Sequence, residues 1–212
     1  MKKAIVFLLA MVTLLPTTMN AQNKALDKAL KKEYKTKMKE YKKEGWKVYG
    51  TSRSLDVALL VHYDKLNELG ENGYEIVGIA PKFKSKNVGH QMAINNACNT
   101  YARNAGSHVK GRIVSDMASD GDDTSAEFDH FYAAYEALVE KEIKGELQES
   151  YSVIRDLGHG EFEMQTFFVV NEDAATKARI RAYENATKES AAAQKYATKV
   201  SEFIKEGFKD EQ

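Results

Sequence analysis

The chain has 212 residues, of which 43% are hydrophobic and 29% charged, and its Lys+Arg total of 31 equals its Asp+Glu total of 31. That length allows one domain, or one domain with helical appendages. The even charge supplies no global field to recruit nucleic acid. A single cysteine, Cys98, excludes an intrachain disulfide and a cysteine-based metal site, and only two prolines leave long helices open.

Met1 to Ala21 reads as a cleavable signal peptide. Lys2 and Lys3 form a positive start, Ala4 to Leu15 is an apolar run, Pro16 breaks it, and Met19-Asn20-Ala21 places a small residue before Gln22. The run is short of the ~20 residues a membrane span needs. No cysteine stands near the cleavage point to take a lipid, and no later segment is apolar enough to cross a bilayer. Removing the segment leaves 29 basic against 31 acidic residues. The expected location is outside the cytoplasm: the periplasm, the outer membrane's surface or the medium.

Residues 22–45 read as a basic amphipathic helix. Leu26, Leu30, Tyr34, Met38 and Tyr41 form a narrow stripe, and nine lysines lie between Lys24 and Lys43. Three roles compete for it: docking on the body of the protein, lying on an anionic surface, and pairing with a partner. The stripe lacks the bulky face of interfacial helices, which favours docking. The exposed basic face around Lys28, Lys31, Lys35 and Lys39 is a candidate contact surface.

Residues 46–171 read as an α+β core. Gly45 ends the basic helix, Trp46 to Tyr49 is a short extended piece, and Trp46 anchors the join. Ser54 is placed as the N-cap of an amphipathic helix over Leu55–Leu69, followed by a strand from Gly73 to about Lys84. Val88 to Met117 is the centre of the reading. Met92, Ile94, Ala97, Cys98, Tyr101, Ala102, Ala105, Val109, Ile113 and Met117 recur mostly at steps of three or four, so they line one face of a long helix. Cys98 sits on that face as a buried thiol.

Asp116, Asp120, Gly121, Asp122, Thr124 and Glu127 match six positions of a calcium-binding EF-hand loop. Ala118 stands where a ligand is needed and Asp123 where an apolar residue is usual. Thr124-Ser-Ala-Glu127 also makes a capping box. The segment is therefore read as an exposed acidic loop, with no metal and no cofactor implied. The aromatics Phe128, Phe131, Tyr132 and Tyr135 on the following helix, 126–145, have helical spacing and read as core.

From Leu147 the period changes to two, and the runs around Gly158-His159-Gly160 read as a hairpin. Phe162, Met164, Thr166, Phe168 and Val170 take one face. Glu161 and Glu163 share the other with His159, three donors that would suit a metal but also suit a solvated strand face. The predicted arrangement is a long helix packed on a small antiparallel sheet, with further amphipathic helices at both ends.

Asn171 caps a last helix over 172–212, read as running to about Phe208. Its seam of small residues includes Ala175, Ala178, Ala182, Ala186, Ala193, Val200 and Ile204. Alanine buries little area, so this helix is expected to borrow a partner, either the N-terminal helix or a second copy. Ala182, Ala186, Ala193 and Val200 are the candidate contacts.

Glu44-Gly45-Trp46-Lys47-Val48, then Ser54-Leu55, then a strand and a helix carrying Ala93, Ala97, Ala102, Ala105 and Val109 resembles a bacterial envelope family. It comprises the twenty-kilodalton outer-membrane lipoproteins and the N-terminal domain of flagellar assembly protein T. The closing hairpin, Tyr151 to Ile154 and Phe162 to Val170, comes in the same order, and the likeness spans about half the mature chain. It implies a small helix-on-sheet domain with a scaffolding or adhesive role, and it carries over no catalytic residue. This chain departs from it in lacking the lipidated cysteine and in adding a long C-terminal helix.

No phosphate loop, dinucleotide fingerprint, nucleophile elbow or zinc-protease helix occurs. The expected role is non-catalytic binding, scaffolding or assembly in the envelope, through an envelope protein, self-association of the long helices or peripheral membrane contact. Two rivals remain at this point. One is a small-ligand-binding module with its pocket between the central helix and the hairpin. The other is a hydrolase in which a cleft joins Ser or Asp to His108 or His159.

Overall fold

Residues 17–117, 125–188, 194, 201–202 and 204–205 are described by the computed structural model. The chain falls into two units, Met1–Lys43 and Glu44–Gln212. The first contributes α1 (Thr17–Glu44), a 28-residue helix without a break. Leu30, Tyr34 and Met38 are half-buried and Tyr41 is buried, while Lys31, Lys32, Lys35 and Lys39 between them are exposed, as the sequence stripe requires.

The second unit carries, in order, β1 (Lys47–Tyr49), α2 (Leu55–Leu69), β2 (Gly73–Phe83), α3 (Lys86–Met117), α4 (Ser125–Ile143), β3 (Gln148–Gly158), β4 (Glu161–Asn171) and α5 (Glu172–Thr187). The strands form one antiparallel sheet in the order β1-β3-β4-β2. The fold is α+β, with helices on a small antiparallel sheet.

The β3–β4 hairpin is set by its turn. His159 (φ 55°) and Gly160 (φ 73°) form a two-residue connection with both residues left-handed, the geometry whose twist matches the flanking strands. Gly158 (φ 85°) stands just before it, where the strand register shifts. The Gly158 N–H is held by Asp156 Oδ1 at 2.7 Å. His159 is therefore a turn residue.

Strand alternation then sorts the side chains. Val170, Phe168, Thr166 and Met164 lie opposite Tyr74, Ile76, Gly78 and Ala80, and this face packs beneath α3. The approach is close: a Cβ at Gly78 would collide with the Ala93 carbonyl oxygen. Small residues on both sides make that approach possible, and they also turn the helix slightly from the predicted face. Ala93 is buried where Met92 was expected, and Met92 is exposed. Ala97, Cys98, Tyr101, Ala102, Ala105 and Val109 are buried as predicted, along an unbroken helix of 32 residues.

The other sheet face is only partly solvated, contrary to the expectation for Glu163 and its neighbours: Glu163 is half-buried, while Glu75 and Ile79 remain exposed. Helix α2 lies across it, burying Ala58, Leu59 and His62. Tyr151 and Phe167 stack there with centroids 4.4 Å apart. Ser54 occupies the N-cap position of α2, but only its carbonyl is used, accepting from the Ala58 N–H at 2.9 Å. Trp46 is buried, with the Arg155 guanidinium 4.7 Å from its ring centroid and its indole N–H donating to Glu44 Oε2 at 3.0 Å. Arg155 also grips Glu163 (2.6 Å) and Glu44 (3.0 Å), so Trp46 is held in a stacked and ion-paired cluster of the second unit.

A second core cluster joins α3, α4 and α5. Phe128, Phe131, Tyr135, Val139 and Ile143 are buried there with Tyr101, Ala105 and Val109. The α4 aromatics are core, as their spacing predicts. Asn171 caps α5, its Oδ1 accepting from the Ala174 N–H at 3.1 Å. The expected single helix to Phe208 ends instead at Thr187, and the Gln194 amide reaches back to the carbonyls of Thr187 (3.1 Å) and Lys188 (3.4 Å).

At its outer edge β2 has the Ile79 N–H filled by Asn96 Oδ1 of α3 at 3.0 Å, and Pro81 has no N–H to offer. Strand β1, at the opposite edge, is three residues long.

Candidate functional site

The most pronounced surface feature is one side of α1. At 100° per residue, Lys28, Lys31, Lys32, Lys35, Lys39, Lys42 and Lys43 fall within an arc of about 120°. All seven are exposed. Glu33, Glu40 and Glu44 project outside the arc on the same wheel. The remaining lysine of this stretch, Lys37, also lies outside it, 4.0 Å from Glu40 and with its ammonium 5.3 Å from the Tyr41 ring centroid. The half-buried stripe points about 120° away from the centre of the lysine arc. Lys28, Lys31, Lys35 and Lys39, singled out from sequence, thus stand together within a broader face.

A polar cluster that sequence reading missed lies where α3 passes over β1 and β3. His90 Nε2 sits 2.9 Å from Glu149 Oε2, and Ser152 Oγ donates to Glu149 Oε1 at 2.7 Å. Ser152 also shares a hydrogen bond with Thr166 Oγ1 at 3.0 Å, and Tyr49 donates to Asn87 Oδ1 at 3.2 Å. Serine, histidine and carboxylate meet here, but in the wrong order for a nucleophilic relay. The carboxylate stands between the other two, so the imidazole has no contact through which to take the hydroxyl proton. Ser152 is fully buried as well. Strand parity would have put Ser152 on this face; nothing in the sequence tied it to His90. Of the two histidines named for a hydrolase, His108 is half-buried on α3 and His159 is exposed in the hairpin turn.

Two further polar groups are buried. His62, 0% exposed, meets Glu75 through Nε2 at 2.5 Å, edge-on to Tyr151. With its proton on Nε2, the ring leaves only an unfilled acceptor at Nδ1. In the α3–α4–α5 cluster, Arg179 of α5 donates to the Tyr101 hydroxyl, to Glu172 Oε1 and to Thr176 Oγ1. Burial works to lower the Arg179 pKa, and the Tyr101 and Glu172 oxygens outweigh it, so the net shift is upward. Burial raises the hydroxyls of Tyr74, Tyr101 and Tyr135, and pushes Tyr132 up to about 12. The Cys98 thiol is raised for the same reason.

The three donors proposed for a metal do not converge. Glu163 is bound to Arg155, Glu161 to Lys82 at 2.9 Å, and His159 belongs to the turn. Among the described residues no cluster of His, Cys, Asp and Glu is arranged to hold a metal. Of the acidic loop, Asp120 and Asp122 lie outside the described residues, as does Thr124 of the capping box; Asp116 falls in the last turn of α3 and Glu127 in the first turn of α4.

The small-residue seam is divided. Ala175, Ala178, Ala182 and Ala186 are fully buried in the cluster that α5 shares with α4. The expectation that this part borrows a partner is corrected: aromatic neighbours on α4 supply the area that alanine lacks. Ala193 and Val200 lie outside the described residues. No described helix is long and apolar enough to cross a membrane.

No family model, curated protein or solved structure matches this chain.

Proposed function

We propose that this protein is an exported component of the bacterial cell envelope that works by binding, with the lysine face of α1 as its contact surface. The observation that carries the reading is the segregation on α1: seven exposed lysines in one arc, with the glutamates outside it. The signal-like Met1–Ala21 supports export, and the helix-on-sheet body supports a scaffolding role of the kind the twenty-kilodalton lipoprotein and flagellar-assembly likeness implies. On this reading the core is a rigid platform, and the chemistry of recognition is electrostatic.

The test is made in the producing cell. N-terminal sequencing should find Gln22 first, and the protein should fractionate with the envelope. Replacing Lys28, Lys31, Lys35 and Lys39 together by Gln should release a large share of it into the soluble fraction. Cytoplasmic protein that retains Met1–Ala21 overturns the reading.

A further inference from the structure

We infer that the lysine face of α1 docks on an anionic lipid bilayer, which it meets lengthwise. The inference rests on the binding role proposed above and names the partner. Three features select a bilayer over other polyanions.

The first is shape. From Lys28 to Lys43 an unbroken helix extends about 22 Å at 1.5 Å per residue, with seven lysines along one side of it. A continuous helix with a one-sided charge suits a planar array of phosphates. The second is residue type. Every cation on the face is lysine, and the segment from Gln22 to Glu44 contains no arginine. Guanidinium forks serve fixed, bidentate phosphate recognition, whereas flexible lysine point charges suit laterally mobile headgroups. The third is what the arc leaves out. Single-stranded nucleic acid is held by aromatic platforms interleaved with cations, yet Tyr34 and Tyr41 point away from the arc and are half-buried and buried.

The same arrangement limits the mode of attachment. With no apolar residue among the lysines, the face does not insert; it rests on the headgroups. Each lysine near such a surface adds a comparable increment of attraction, and salt screens all of them together.

The experiment uses the full chain and sedimentation with unilamellar vesicles, one set of phosphatidylcholine alone and one containing phosphatidylglycerol. The apolar Ala4–Leu15 run contributes to both sets, so the excess binding to the anionic set is the readout. That excess should fall by roughly three orders of magnitude in apparent affinity when Lys28, Lys31, Lys35 and Lys39 all become Gln. It should also vanish at about 1 M salt, where the screening length shrinks to roughly 3 Å. Gln keeps helix propensity close to that of Lys, so the fold survives the change. A control with Lys47, Lys84, Lys141 and Lys177 changed to Gln alters net charge equally and should retain most of the excess.

No excess for anionic vesicles overturns the inference. So does an equal loss in the control, which would make net charge the cause. So does a single-stranded RNA that displaces the vesicles at matched phosphate, which would assign the face to nucleic acid. If the vesicle excess is absent while the quadruple variant still leaves the envelope fraction in cells, the binding role stands and the lipid assignment alone falls.

Discussion

Replacing Arg179 by Met removes the buried guanidinium that pairs with Glu172 inside α5 and ties α5 to α3 through the Tyr101 hydroxyl. The change leaves the Glu172 carboxylate in the core without its guanidinium partner and breaks the bond to the Tyr101 hydroxyl. Breaking a buried pair by removing one partner costs about 3–5 kcal/mol. Two features place this case at the lower end. Thr176 Oγ1 still donates to Glu172 Oε1 at 3.2 Å, and Glu172 is in the first turn of α5, where the helix field favours a negative charge. The expected loss is about 3 kcal/mol, a fall in Tm of about 6–12 °C for a chain of this size. Adding Glu172→Gln removes the stranded charge, so the double variant should recover most of the loss, to within about 1 kcal/mol of the parent. Thermal unfolding followed by circular dichroism reads both. A single variant that loses under about 1 kcal/mol, or a double variant no better than the single, would show that the pair does not hold the helix as described.

Three other outcomes follow from the geometry. Gly78→Ala pushes a methyl into the Ala93 carbonyl, so α3 must lift from β2; a loss of about 1–3 kcal/mol in denaturant unfolding is expected, whereas an unchanged midpoint would contradict the close approach. His159→Asn keeps a residue that tolerates the left-handed turn and should change stability by less than about 0.5 kcal/mol, while any loss of bound metal on that change would restore the ligand idea. Tyr74, Tyr101, Tyr132 and Tyr135 have raised pKa values, so the folded state keeps protons that the unfolded state releases above about pH 10. Their contribution is whole below that pH and is lost as pH rises toward each folded value. Tyrosinate absorbance should therefore show a block of tyrosines that ionise only with unfolding, and a smooth titration of all 11 would refute it.

The parts of this fold that were legible are those governed by local period. The α3 face, the α4 aromatics, the alternation of β4 and the Asn171 cap all follow from spacing within one element. What escaped depended on pairs distant in sequence. Ser152 and His90 meet only through Glu149, and α2 covers a sheet face that the glutamates of β4 had marked as wet. Arg155 accounts for Glu163 on that face, since it neutralises the carboxylate from the neighbouring strand. The tail was misread because alanine spacing predicts a seam and says nothing of its neighbour; here Phe131 and Tyr135 were already waiting across it. For the candidate contact, the run of lysines was visible, and the wheel built on an unbroken α1 adds their separation from Glu33 and Glu40.

The blunted rim of β2 bears on how crowded molecules of this protein behave. A bare strand margin offers neighbours a template for runaway growth into fibres. With the Ile79 amide already satisfied by Asn96, Pro81 lacking one, and only Lys47–Tyr49 along the far margin, the layer stops at four strands. High local concentration then leaves each copy's sheet intact and separate.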